Sequence, residues 1–314
     1  MRYMPYAELT GQPHVVVDGS AQSGTMLTLS HWPGSPTPDI LRDDLSAQIA
    51  FHALDHPGLL EGLEHVTNNH FDQDGIVSVF ALTEPDAASA RLEQLIDIAR
   101  AGDFSWFRHR TSARAAITLA ELANATEGDP YEALLPRLVE IVENPDRFRV
   151  HWEAEDAHIS ETERAIARGT ITIEEVADVD LAIVTIPSDW AQRTVHRFTT
   201  TDSGAAHPYA IHNATRCFRV LTVGVSVPEL RFRYETWVHL VSRRPVPRVD
   251  LTPLAAVLTE EEPGDVRWVF DPIDSLSPAL HLLGAAATAI EPARLRECVV
   301  TELRAAQVTW SPYT

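Results

Sequence analysis

Apolar and polar positions follow two rhythms along the N-terminal part of the chain. Residues 14–18 read HVVVD, a β-branched run closed by Gly19, and predict a strand. Residues 26–29 predict a second strand, which leads into the loop 30–38. Residues 39–54 place Ile40, Leu41, Leu45, Ile49, Phe51 and Leu54 at helical spacing, and Pro57–Gly58 ends that helix. Residues 63–68 predict a short strand, followed by the polar loop 70–75 and the apolar run 76–82. Residues 85–101 set Leu92, Leu95, Ile96 and Ala99 on one helical face, ending at Gly102-Asp103-Phe104. This alternation of strand and helix predicts an α/β layer with a largely parallel sheet.

Three further helices are predicted at 112–123, 131–142 and 153–167, the last closed by Gly169. Strands are predicted at 170–173 and 181–186. The stretch 188–207 is polar, irregular and contains TTTDSG, which marks a domain boundary. An α/β domain over residues 1–190 is therefore expected, then a smaller α+β domain over 205–314. The second would hold strands at 218–223, 231–241 and 266–270 and helices at 251–258 and 294–306. Its strand 231–241 would alternate Phe232, Tyr234, Thr236 and Val238 on one face.

Composition narrows the chemistry. With 314 residues, 45% of them apolar and 22% charged, a large core is expected and wholesale disorder is excluded. All 25 basic residues are Arg, which excludes Schiff-base enzymes, Walker A loops and Ser–Lys dyads. A net charge of −20 disfavours extended nucleic acid as a partner, whereas a local Arg cluster suits a small phosphate. Cys217 and Cys298 lack any CxxC pattern and read as two buried thiols. The N-terminus has no apolar leader, and the weakly polar run 277–290 is too short and interrupted to span a bilayer, so a cytoplasmic location is expected. No Gly-x-Ser-x-Gly and no Gly-x-Gly-x-x-Gly after a strand is present, which argues against a serine hydrolase and a dinucleotide enzyme.

One motif carries metal chemistry. His70-Phe-Asp72-Gln-Asp74-Gly75 puts an imidazole and two carboxylates on alternate positions directly after a predicted strand. Alternation sends them to one side of an extended segment, Gly75 lets the chain turn into the next helix, and strand ends are where open α/β sheets bind ligands. Mixed imidazole and carboxylate suits Mn²⁺, Fe²⁺ or Zn²⁺ better than Ca²⁺. An EF-hand is excluded, because position twelve counted from His70 is Ala81 rather than Glu. The competing reading is an acidic loop in which Asp72 or Asp74 caps a helix.

The segment 64–82 (EHVTNNHFDQDGIVSVFAL) resembles the first motif of the DHH-type phosphoesterases: a strand, an imidazole with alternating Asp residues, Gly and an apolar helix. The resemblance implies that His70, Asp72 and Asp74 are metal ligands, that Asp103 in Ala-Gly-Asp-Phe is a further one, and that the metals activate water against a phosphoester or phosphoanhydride. Ser242-Arg243-Arg244 with Arg248 is similar to the Ser-Arg-basic stretch that grips phosphate in the pyrophosphatase branch, and Ser203–His207 loosely resembles the Gly-Gly-His substrate loop of other branches.

Other residues extend the candidate set. His31 ends a neighbouring predicted strand and can converge on the same sheet edge. His151, Glu155 and His158 share a helix face if the helix 153–167 extends back one turn. His207 and His212, with Arg216, fit proton transfer and phosphate contact near the domain boundary. Trp106, beside Arg108 and Arg110, can line a pocket.

Two expectations follow. The first is a metal-dependent hydrolase of a small phosphorylated molecule. Its metal ligands would be His70, Asp72, Asp74 and Asp103, its catalytic residues His207 and His212, and its phosphate ligands Arg243, Arg244 and Arg248. Mn²⁺ would be preferred over Mg²⁺, Fe²⁺ or Zn²⁺, no membrane or long nucleic acid would be bound, and a homo-oligomer is allowed. The second is a non-catalytic α/β ligand-binding or oligomeric protein with a structural acidic loop. The absence of an Asp-His-His motif after His70 supports it.

Overall fold

A computed structural model describes residues 1–197 and 200–313. The chain has an α/β fold with one parallel and one mixed sheet. Its internal contacts divide it into two compact units. One comprises Met1–Ala157, Thr194–Ser203 and Val238–Arg244; the other comprises His158–Arg193, Gly204–Trp237 and Pro245–Thr314.

In the first unit, strands β1 (Arg2–Tyr3), β2 (His14–Val17), β3 (Thr25–Leu29) and β4 (His65–Thr67) form a sheet in the order β1-β4-β2-β3, and every pairing is parallel. All residues of β2 are buried, as expected for an inner strand of a parallel sheet. Helix α1 (Ser46–Leu54) begins later than its apolar periodicity suggests, because residues 39–41 form a separate 3₁₀ turn after Pro38. Helix α2 (Gln73–Thr83) is buried from Gln73 to Leu82, which explains its continuous apolar run.

The single helix predicted over 85–101 is two: α3 (Pro85–Ser89) and α4 (Leu92–Phe104). Arg91 leaves helical geometry between them and ties its guanidinium to the Ala87 carbonyl at 2.8 Å and to Glu143. Helix α4 continues through Gly102, where a Cβ would lie 2.5 Å from the Gln73 side chain. Gly102 therefore permits close packing, and Ser105, at φ 51°, takes the left-handed cap. Helix α5 (Arg110–Ala125) follows. The predicted helix 131–142 is interrupted by a 3₁₀ turn at Leu135–Arg137, with Pro136 at its start.

The second unit carries a mixed sheet in the order Arg267–Phe270, Ala279–Leu283, Glu229–Phe232, Arg219–Val223, Leu181–Thr185 and Thr172–Val176. Two of these strands, Thr172–Val176 and Leu181–Thr185, come from the stretch expected to belong to the N-terminal domain. Leu181–Thr185 pairs in parallel with Arg219–Val223, and this long-range pairing is invisible to local pattern. Leu181, Ile183, Leu221, Leu230 and Phe232 pack with Leu254, Leu258, Leu295 and Val299 of the helices Thr252–Glu261 and Pro292–Ala305. The long strand predicted over 231–241 stops at Phe232, and Tyr234–Thr236 form a 3₁₀ turn. Strand Ala279–Leu283 was not anticipated. The stretch read as irregular, 188–207, contains the paired strands Arg193–Arg197 and Thr200–Gly204, and TTTDSG begins at Thr199, outside the described residues. Both cysteines are buried thiols outside any disulfide, as the sequence indicated.

Candidate metal centre

The parallel register sets the C-terminal ends of β2, β3 and β4 along one edge, since Val17 pairs with Leu29 and Val16 with Thr67. Asp18 follows β2, His31 lies two residues beyond β3, and His70 lies three beyond β4. Asp18 adopts φ 44°, an uncommon conformation for a residue with a side chain. Its amide donates to the Leu29 carbonyl at 2.9 Å, which holds the turn against β3.

Five side chains gather there in two overlapping sets, with Asp103 beside them. Ligand atoms of Asp18, His70 and Asp72 lie within 4.8 Å of one another, and so do those of Asp18, His31 and Asp74. Asp18 belongs to both. His70 Nε2 is 2.9 Å from Asp72 Oδ2 and 3.4 Å from Asp18 Oδ2. His31 Nε2 is 3.5 Å from Asp18 and from Asp103, and 3.8 Å from Asp74. Asp103 arrives from the last turn of α4.

The sequence motif is thus split. Its alternating residues do not share one extended segment, because α2 begins at Gln73. Asp72 becomes the N-cap, accepting from the Gly75 amide at 2.8 Å, while Asp74 lies in the first helical turn. The capping role foreseen as a competing reading is real. Asp74 goes further and accepts from the amides of Ser46 and Ala47 at 2.7 and 2.8 Å, at the start of α1. Ser46 Oγ donates to Asp18 Oδ1 at 2.8 Å and accepts from the His31 amide at 3.2 Å. Gly75 serves space rather than a turn: a Cβ there would lie 2.4 Å from both Asn68 Nδ2 and Tyr131 Oη. Tyr131 Oη in turn donates to the His70 carbonyl at 2.9 Å, and the Trp32 ring lies 5.3 Å from that of His70.

Burial makes the carboxylates uneasy. Desolvation, with the Asp72 and Asp74 charges, pushes the Asp18 carboxyl up to about 8. Desolvation and Asp72 push Asp74 up to about 7, against the amides of Ala47 and Ser46. Burial would also raise Asp72, but His70 and the Gly75 amide outweigh it and hold that carboxyl low. Burial opposes charge on His70, yet Asp72 and Asp18 raise it to about 9.

Burial pushes His31 down and disfavours its charged form. Its Nδ1 lies 2.6 Å from the Asp44 carbonyl, which fixes the proton there and leaves the Nε2 lone pair facing Asp18, Asp74 and Asp103. An acceptor turned toward carboxylates requires protons or a cation between them. The oxygen and imidazole donor set, without thiolate, could hold a metal ion, and the Nδ1–H to carbonyl bond is the usual support of a metal-ligating histidine.

A segment from far along the chain completes this region. The His239 amide donates to the His31 carbonyl at 2.8 Å. The amides of Val241 and Ser242 donate to Asp44 Oδ1 at 2.7 and 2.8 Å, and Ser242 Oγ donates to Asp44 Oδ2. Arg243 and Arg244 follow immediately, half-buried and exposed.

The remaining candidates have other tasks. Arg248 is buried and commits its guanidinium to the carbonyls of Ile273, Ser275 and Leu276 and to Thr236 Oγ1, which removes it from the phosphate ligands. His207, in the other unit, is fully buried and caps the helix Pro208–Ala214, its Nδ1 accepting from the Tyr209 amide at 3.2 Å; this is a structural position. His212 lies half-buried in the last turn of that helix. The helix Arg149–Ala167 does extend back over His151, but His151 bonds Glu121, Glu155 bonds His196, and His158 Nε2 lies 3.2 Å from the Ala205 carbonyl. They form no metal-ligating group among the described residues. The Trp106 ring lies under the Arg100 and Arg108 guanidinium groups, while Arg110 covers Phe107.

Among the described residues no helix is long and apolar enough to cross a membrane. One family model matches the chain over residues 1–314, and its description is "Family of unknown function (DUF6687)". No curated protein and no solved structure matches.

Proposed function

The chain belongs to the DUF6687 family, whose description carries no activity, and from the site's own chemistry we propose that it is a metal-dependent hydrolase of a small phosphoester or phosphoanhydride. The observation that carries this reading is the sharing of Asp18 between two ligand sets. One carboxylate serving two neighbouring sets is the donor pattern of a paired-ion centre. His70 and Asp72 would complete one set, and His31 and Asp74 the other, with Asp103 beside His31. Divalent ions held there, Mn²⁺ ahead of Mg²⁺, Fe²⁺ or Zn²⁺, would lower the pKa of bound water and offset phosphoryl charge. A DHH-like origin, a two-domain arrangement and a cytoplasmic setting belong to the same proposal.

The chain's residues have separable tasks in this scheme. Asp44 fixes the His31 tautomer through its carbonyl. Tyr131 holds the His70 backbone. The amides at the start of α1 orient Asp74 through both of its oxygens. Arg243 and Arg244, on the segment bonded to Asp44, would contact substrate phosphate.

Elemental analysis of purified protein after Mn²⁺ loading and desalting tests the reading, followed by a phosphoester panel. Wild type retaining Mn²⁺, Asp18→Asn retaining none, and Mn²⁺-dependent phosphate release by wild type alone would support it. Equal metal in both proteins, or no release from any substrate, would count against it. The second reading, a non-catalytic protein with a structural acidic loop, is favoured by the capping bonds of Asp72 and Asp74. A melting temperature unchanged by EDTA would select it.

A further inference from the structure

The Val238–Arg244 strap belongs to the unit that carries the candidate metal centre, although the stretches on both sides of it belong to the other. Val238 and Leu240 are buried, whereas Val241 is 56% exposed, so apolar anchoring ends before the Ser-Arg-Arg stretch begins. From there the strap is held by Asp44: two amides and one hydroxyl converge on a single half-buried carboxylate. The same residue's carbonyl receives His31 Nδ1–H, and the His31 carbonyl receives the strap's His239 amide. Asp44 thus bonds the strap with its side chain and a candidate metal ligand with its backbone.

We propose that Asp44 is a positioning residue that latches the strap beside the metal centre, so that Arg243 and Arg244 are presented to a phosphate-type anion bound there. This rests on the hydrolase reading above. Hydrogen bonds to a charged carboxylate are the strong kind, and here they order a segment whose own side chains beyond Leu240 supply little burial. In a chain of net charge −20, two consecutive Arg directly after the residues bonded to Asp44 would make an anion acceptable there. Since Asp44 acts on the strap through its side chain but on His31 through its backbone, substitution of the side chain leaves the His31 bond available. Strap docking and metal binding are therefore separable.

The test uses the full-length protein loaded with Mn²⁺, with inorganic phosphate as the probe. Mn²⁺ stoichiometry and phosphate affinity are measured by calorimetry on wild type, Asp44→Ala, Asp44→Asn and the Arg243→Ala/Arg244→Ala double variant. Hydrogen exchange is followed over residues 238–244. In Asp44→Ala, faster exchange of the Val241 and Ser242 amides is expected. Phosphate should bind about tenfold more weakly, as loss of charge-assisted bonds implies, with Mn²⁺ stoichiometry unchanged. Adding Asp44→Ala to the double Arg variant should weaken phosphate no further, because both changes remove the same contact. Asp44→Asn keeps one acceptor oxygen and should recover part of the affinity.

Unchanged phosphate affinity in Asp44→Ala overturns the latch while leaving the hydrolase reading intact. Tighter binding also overturns it, since Asp44 would then be occupying the anion's place on the strap. A wild type that holds Mn²⁺ but binds no phosphate overturns the hydrolase reading, and the latch with it.

Discussion

Replacing Asp18 with Asn should make the metal-free protein more stable while abolishing its stabilisation by metal. The Asp18 carboxyl has its pKa raised from 3.8 to about 8 by burial and by the facing Asp72 and Asp74, despite opposing help from His70 and His31. A folded-state pKa above the unfolded one means that stability is complete below pH 4 and is lost as pH rises toward 8. The full difference sets a ceiling of about 6 kcal/mol against the ionised form at alkaline pH. Relaxation around the site reduces this to about 2 kcal/mol, or roughly 5 °C in Tm. Asn cannot ionise, yet its amide oxygen can still accept from Ser46 Oγ. Scanning calorimetry in EDTA should therefore show both proteins melting alike at pH 4 and the variant melting higher at pH 8. Mn²⁺ at pH 8 should raise the Tm of wild type alone. A variant that melts below wild type at pH 8 in EDTA would refute the argument, because ionised Asp18 would then be a net stabiliser.

Mn²⁺ affinity should fall as pH drops below about 9, since His70, Asp18 and Asp74, raised to about 9, about 8 and about 7, must lose protons to bind metal; calorimetry in buffers of different ionisation enthalpy would count those protons. Gly75→Ala should cost about 2 kcal/mol in denaturant unfolding, because its Cβ would lie 2.4 Å from Asn68 and Tyr131. Arg248→Met should destabilise by about 3 kcal/mol through its orphaned carbonyl partners, leaving phosphate affinity at the wild-type value; urea melts and calorimetry would check both.

The α/β character, most element positions in the first unit and the metal-type motif were legible from local pattern. Residues 70–75 declared themselves through residue type and spacing. Asp18 did not, although its strand was correctly read: one Asp after HVVV is unremarkable until the parallel register sets it beside β4. His31 could be suggested only because it also ended a predicted strand. Asp44 and Ser46 were beyond reach, since their roles depend on partners distant in sequence. The Arg248 expectation failed because a guanidinium suited to phosphate is equally suited to loop carbonyls, and only burial separates the two. The predicted strand 231–241 failed because alternation persisted after hydrogen bonding stopped at Phe232.

The Asp44–Ser242 bond spans 198 positions, and this fixes an order of assembly during synthesis. The chain can bring Asp18, His31, His70, Asp72, Asp74 and Asp103 together once α4 has emerged from the ribosome. The strap that bonds His31 and Asp44 is translated long after. On a nascent chain the residues of the acidic cluster thus exist before the two arginines do, and under the proposed function cations could be collected before any phosphate is gripped. On that proposal, a chain halted short of Val238 would be a metal binder without an anion clamp.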